Sequence, residues 1–196
     1  MKKSWIILGI VVVVILLIYS SVKGTYNTMV SMDEGVTASW AQVENVYQRR
    51  ADLIPNLVST VKGYAAHEQE TFQSVIEARS RASSVNIDPS NMNPQALEKF
   101  QAAQDGLSSA LSRLMVVVER YPELKANQNF LDLQAQLEGT ENRIAVERRK
   151  FNDSARQFNT YIRKFPKNIW AGIFNFEPKA YFEAREGAEE VPEVSF

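Results

Sequence analysis

Residues Trp5 to Val22 read WIILGIVVVVILLIYSSV, eighteen consecutive positions without a charge. As a helix rising about 1.5 Å per residue the run reaches roughly 27 Å, close to a hydrocarbon core of about 30 Å. Lipid offers a peptide group no hydrogen bonds, so a segment placed there must close its own backbone ladder, and that makes it helical. Trp5 and Tyr19 stand near its ends, where amphipathic rings favour the headgroup layer. Lys2 and Lys3 precede it, and a basic start before an apolar run is also the pattern of a cleaved signal peptide. Ser20, Ser21 and Gly24 form no A-x-A-like cleavage site, and the span length favours a retained anchor. Residues 1–23 are therefore expected to be a single-pass anchor, meeting the bilayer through residues 5–22, and residues 24–196 one water-facing domain. Two lysines before the span against Lys23 after it keep the N-terminus in the cytoplasm by the positive-inside rule and export the rest.

About 170 residues follow the anchor, enough for one sizeable core. Once Lys2, Lys3 and Lys23 are set aside, 19 basic residues face 23 acidic ones, which is no electrostatic footprint for nucleic acid. With no cysteine, disulfides, thiolate metal sites and a lipoprotein cysteine are excluded.

Three long segments carry a helical period. In the first, Tyr26, Val30, Val36, Trp40, Val43, Tyr47, Ile54, Leu57, Val61, Tyr64, Phe72, Val75 and Ile76 recur at threes and fours, one apolar face running to about Ala82. The turn-rich SSVNIDPSNMNP stops it. Pro55 lies inside; its ring opposes the carbonyl of Ala51 and it has no N–H to donate. Either a new helix starts with Asp52 as cap, or one bent helix continues, which the unbroken period favours. The second segment opens at Asn93-Pro94, a cap followed by proline at the first helical position. It carries Leu97, Phe100, Leu107, Leu111, Leu114, Val117, Val118 and Tyr121 to Pro122. The third runs from about Asn127 to Lys164, with Phe130, Leu133, Leu137, Ile144, Phe151, Ala155, Phe158, Ile162 and Phe165 as its stripe and Pro166 as its stop. Short connections make neighbours antiparallel. The fold expected is all-α: a transmembrane helix followed by an antiparallel bundle of three to four long helices. The tail holds Trp170, Ile173, Phe174, Phe176, Tyr181 and Phe182, too much apolar surface for a solvated end. It should form a short helix, pack on the bundle and finish extended over Ala188 to Ser195.

Catalytic equipment is missing. His67 is the sole histidine, and position 71, where a zinc-protease motif needs a second, is threonine. Tyr64 occupies the place a Glu-x-x-His di-iron motif would give to glutamate. His67 stands on a charged turn beside Glu68 and Glu70 and reads as a surface residue. No nucleophile elbow or phosphate loop is present. No metal, cofactor or nucleic acid is expected, and the chain reads as a non-enzyme. The informative polar residues lie inside the stripes. Arg49, Arg50 and Asp52 directly precede Pro55 and Asn56, while Glu141 and Arg148 lie on the line joining Leu137, Ile144 and Phe151. One reading is a polar seam that fixes register, with Glu141 the expected partner of Arg50. The other is a partner or ligand site at the proline.

The run WAQVENVYQRRADLIPNLVSTVKGYAAHEQETFQSVIEAR, from Trp40 to Arg79, resembles the signature of the LemA family. The resemblance continues in YNTMV beside the anchor, in RRKFNDSARQFNTYIRKFP, and in FEPKAYFEA and PEVSF of the tail. It covers nearly the whole chain. Where the family usually has tyrosine before asparagine in the second block, this chain has Phe151 and Phe158, keeping the rings and losing the hydroxyls. The resemblance implies a membrane-anchored helical bundle and no established enzymatic activity. One branch is associated with forming magnetosome membranes, which implies a membrane-organising role. It also implies a short N-terminus outside the cell, opposite to the charge count. The expected function is a bacterial inner-membrane protein presenting a rigid bundle for protein–protein interaction, self-assembly or membrane organisation, its partner a second copy or another membrane protein. A sensor or ligand-binding module is the alternative, and an unrecognised enzyme the third.

Overall fold

The computed structural model describes residues 2–89 and 92–183; the extended end expected at Ala188 to Ser195 lies outside them. Six helices follow one another: α1 Lys2–Lys62, α2 Gln69–Ser84, α3 Pro94–Val118, α4 Pro122–Lys125, α5 Gln128–Arg163 and α6 Lys167–Ile173. No strand occurs among the described residues.

The 61 residues of α1 make a rod about 90 Å long. Its apolar side chains from Trp5 to Tyr19 are exposed on every face, and this end is long and apolar enough to cross a membrane. The helix passes Lys23 and Gly24 without a break, so no linker separates the apolar end from the packed one. From Met29 onward one stripe is buried: Val36, Trp40, Val43, Tyr47, Ile54, Leu57 and Val61.

The helix also runs through Pro55. Proline cannot donate to the carbonyl four residues back, which strands the Ala51 oxygen. That oxygen instead accepts a 2.7 Å hydrogen bond from Arg79 Nε on α2. A hydrogen bond from a charged donor contributes about 1.5–3 kcal/mol. Arg79→Met should lose most of that in chemical denaturation, and no loss would mean that water serves the carbonyl equally well.

The apolar period does not continue as one helix to Ala82. The chain reverses over residues 63–68, and α2 folds back along α1. Gly63 and the gap between Tyr64 and Phe72 mark the break. Tyr64 and Ile76, counted in the apolar face, are exposed, because the stripe belongs to two antiparallel helices rather than one. His67, in the turn, is exposed.

Local chemistry sets the other boundaries. Asn93 caps α3, its side chain accepting from Ala96 N at 2.8 Å, with Pro94 in the first turn. Asn127 caps α5 through Phe130 N at 3.0 Å. Pro122 opens the one-turn α4 rather than closing the helix before it, since proline suits a first turn. Phe165 is 81 % exposed and leaves the α5 stripe, because the helix has ended at Arg163.

The side-chain rungs between α1 and α5 are Ser39 to Ser154 and Arg50 to Glu141, with Tyr64 to Asn127 just beyond their ends. Numbers rise on one helix as they fall on the other, so the pair is antiparallel. Ser74 to Arg113 and Glu68 to Arg120 show the same of α2 and α3. The described domain is thus an antiparallel four-helix bundle of α1, α2, α3 and α5. The tail docks on it in part: Phe182 is buried and Trp170 and Phe176 are half-buried, whereas Ile173, Phe174 and Tyr181, also expected to pack there, are exposed.

Candidate functional site: a buried polar layer and a clamped tail

The interior is two hydrophobic cores, not one. The first gathers Trp40, Val43, Tyr47, Phe100, Ile144, Phe151, Phe158 and Phe182. The second gathers Ile54, Leu57, Val61, Val75, Leu107, Leu114 and Phe130. Arg50 falls between Tyr47 and Ile54, Gln104 between Phe100 and Leu107, and Glu141 between Leu137 and Ile144. These three residues form a polar layer at one height across α1, α3 and α5.

Arg50 is its centre and is 1 % exposed. Its Nη1 donates to Glu141 Oε1 at 2.7 Å and to Ser108 Oγ at 3.1 Å. Its Nη2 donates to Gln104 Oε1 at 2.5 Å and to the Gln104 carbonyl at 3.4 Å. The planar guanidinium suits this, because it offers five donors in a fixed fork. Gln104 completes the chain by donating its amide to the Ala82 carbonyl at the end of α2, 3.1 Å away. Four helices therefore meet in one network. Glu141 keeps 46 % of its side chain exposed, so the layer is open to water on that side. The Arg50 guanidinium also lies 5.1 Å from the Tyr47 ring centre. Burial pushes the Tyr47 phenol above 10.0, with Arg148 and Arg50 pulling it down, so at neutral pH the layer holds a neutral phenol.

The residues around Pro55 do not assemble into a site. Arg49, Asp52, Pro55 and Asn56 are all exposed, and Asp52 accepts only from Gln48, its own-helix neighbour, at 2.7 Å among the described contacts. Arg148 does not join Arg50. It donates to the Glu183 carbonyl at 3.1 Å and lies 4.4 Å from the Phe182 ring centre, holding the tail.

That tail contact is the second polar feature. Asn152 and Asn159, two turns apart on α5, each pair with tail backbone. Asn152 donates to the Phe182 carbonyl and accepts from Phe182 N, both at 2.9 Å. Asn159 does the same with Lys179 at 2.8 Å each way and also donates to the Tyr181 hydroxyl. A carboxamide carries the donor and acceptor of a peptide group, so the two asparagines act as rungs for an extended segment that has no strand beside it. Between them the tail delivers Phe182 into an aromatic nest. Its ring stacks on Trp40 at 5.9 Å and meets Phe151 edge-on at 5.6 Å.

Gln104, Ser108, Asn152 and Asn159 escaped the sequence reading. The available signal for the asparagines was the Phe-Asn pair repeated at 151–152 and 158–159, a seven-residue spacing that puts both on one helix face. An open groove of about 660 Å³ beside the polar layer is lined by Leu57, Leu111, Met115 and Leu137 and includes Ser108 and Glu141. No group of acidic and histidine residues fit for a metal occurs among the described residues.

An antiparallel bundle built directly on a long apolar helix, with a few polar residues buried between its helices, defines an all-helical protein of the membrane-associated kind. The LemA family model matches residues 39–196, and the chain belongs to the LemA family. It is 30 % identical to magnetosome protein MamQ 2 of Paramagnetospirillum magneticum over 84 % of this chain and 66 % of that protein. It is 29 % identical to magnetosome protein MamQ of Magnetospirillum gryphiswaldense, with the same coverage. Protein LemA of Metamycoplasma hominis is 24 % identical over 83 % of this chain and 71 % of its own length. The chain thus spans just under two thirds of the length of the magnetosome relatives.

Proposed function

We propose that this protein is a non-enzymatic, single-pass membrane protein that holds a rigid helical bundle at a fixed height and orientation for self-assembly or for a membrane-protein partner. The observation that carries this reading is the continuity of α1. One helix serves both as the apolar end and as a wall of the bundle, so the bundle has no swivel. The distal tip, which holds Tyr64, Glu68, Arg120 and Asn127, then stands at a set distance from the lipid. Two relatives are named for the magnetosome, and a membrane-organising role for this chain is consistent with those names. Because the chain has no cysteine, a crosslinker placed at Leu131→Cys, an exposed site on α5, is the sole thiol. In the native membrane it should trap a second copy or one dominant membrane protein. Absence of any adduct there and at Val146→Cys would overturn the proposal.

The groove beside Ser108 and Glu141 supports a second reading, a ligand-binding module. Under it, a small molecule would raise the melting temperature of the detergent-purified full chain, and Leu111→Trp would abolish the effect.

Sidedness follows from Lys2 and Lys3 against Lys23. A reporter fused after Phe196 that works only in the cytoplasm should stay silent. Activity there would invert the topology.

A further inference from the structure

We propose that α6 is a second membrane contact: it lies in the headgroup layer beside the point where α1 leaves the bilayer, and it fixes the tilt of the bundle. The inference rests on the reading of α1 as an anchor and adds a second lipid-facing surface to it.

Height is the first argument. Phe174, at the end of α6, packs edge-on against Tyr26 of α1 with ring centres 4.9 Å apart, and Phe176 meets the same ring at 5.9 Å. Tyr26 is four residues beyond Val22, about 6 Å along the helix axis. The headgroup region on each side of a bilayer is about 5–7 Å deep. Any membrane that α1 crosses through residues 5–22 therefore reaches the level of α6.

The second argument is the face that α6 leaves uncovered. Ala171 is buried, and Lys167 and Trp170 are half-buried toward the bundle. Ile169 and Ile173, one turn apart on α6, are 50 % and 59 % exposed, and Phe165, just before the helix, is 81 % exposed. Gly172 falls on the same side by helical spacing. This outer face carries no charge, and large apolar side chains clustered on a surface mark a docking site.

The third is charge. From Arg163 to Phe176 the chain reads RKFPKNIWAGIFNF, with three basic residues and no acidic one. Lys167 already covers the Tyr161 ring at 3.7 Å, while Arg163 and Lys164 are exposed. Basic residues flanking an exposed apolar face are the pattern of an interfacial segment on anionic lipid. The end of α6 is built to hold this placement. Asn175 takes a φ of 57°, and Phe176 N bonds the Ala171 carbonyl at 2.9 Å, a closing turn that sends the chain back to the bundle.

The test uses the full-length chain reconstituted in phosphatidylcholine vesicles with and without phosphatidylglycerol. An environment-sensitive fluorophore is placed in turn at Ile10→Cys, Ile169→Cys and Leu131→Cys. Ile10 reports the anchor and Leu131 the far end of the bundle. At Ile169→Cys, aqueous iodide quenching should fall several-fold relative to Leu131→Cys, shallow lipid-borne nitroxide should quench, and the effect should grow with phosphatidylglycerol. A lipid-embedded Ile10→Cys signal with an Ile169→Cys signal as open to iodide as Leu131→Cys would overturn this inference alone. An exposed Ile10→Cys signal would overturn the anchor reading as well. Protection at Ile169 that vanishes on diluting protein in lipid would assign the face to a second copy and overturn the lipid proposal. Ile169 is half-exposed, so the substitution leaves the bundle core intact, and circular dichroism of each variant checks this.

Discussion

Arg50→Ala should destabilise the bundle by about 3–5 kcal/mol, the range for truncating a large, fully buried side chain. The removal strips a fully buried side chain from the junction of two cores and leaves Gln104 and Ser108 without their donor. Glu141→Ala should cost less, about 1–3 kcal/mol. Its carboxylate is half in water, and solvent can enter from that side to serve the guanidinium. The double variant should cost well under the sum, since each change removes the same contact. Replacing Arg50 and Gln104 together by Met and Leu should restore much of the loss, because the buried guanidinium and its carboxamide partner go together and the refilled space stays packed, with the Ala82 carbonyl the one buried group that loses its donor. Chemical denaturation of the full chain in detergent decides it. Strictly additive losses below about 0.5 kcal/mol, the range of ordinary surface changes, would mean that the layer does not hold the helices together and that Arg50 serves some other contact.

How much of this was legible depended on whether the signal was local. The apolar run and the caps at Asn93 and Asn127 could be read from the sequence, because length without charge and a side chain bonding three residues ahead are properties of short segments. Arg50 and Glu141 stood out because a charge inside an apolar stripe must find a partner. The reversal after Lys62 did not stand out, since two antiparallel helices and one long helix share the 3.6 period and only Gly63 and the gap between Tyr64 and Phe72 mark the difference. Gln104 was silent for another reason. A glutamine in a helix is ordinary, and only its position between Phe100 and Leu107, seen together with Arg50, assigns it to the layer. Around Pro55, only Arg50 enters the buried layer, because sequence adjacency is not spatial convergence. On a helix, Arg49, Asp52 and Asn56, at i, i+3 and i+7, share one exposed face, while Arg50 points inward.

Phe182→Ala should cost about 3–5 kcal/mol, the usual range for a fully buried phenylalanine. The ring is 6 % exposed and touches Trp40, Phe100 and Phe151, so truncation opens a cavity in the core nearest the membrane rather than trimming an end. At roughly 2–4 °C per kcal/mol for a domain of this size the melting temperature should fall on the order of 10 °C. Asn159→Ala should cost about 1–3 kcal/mol, because it orphans the Lys179 N–H and carbonyl beneath the tail. Phe165→Ala, at an 81 % exposed position, should leave the melting temperature in detergent unchanged and serves as the control. Deleting residues 167–196 removes Phe182 and the backbone partners of both asparagine rungs at once. It should lower the melting temperature at least as far as Phe182→Ala and cause aggregation, since Trp40, Phe100 and Phe151 would then face water as one patch. If Phe182→Ala and the deletion both leave melting unchanged, the tail is draped on a bundle that is complete without it, and the aromatic nest contributes nothing to stability.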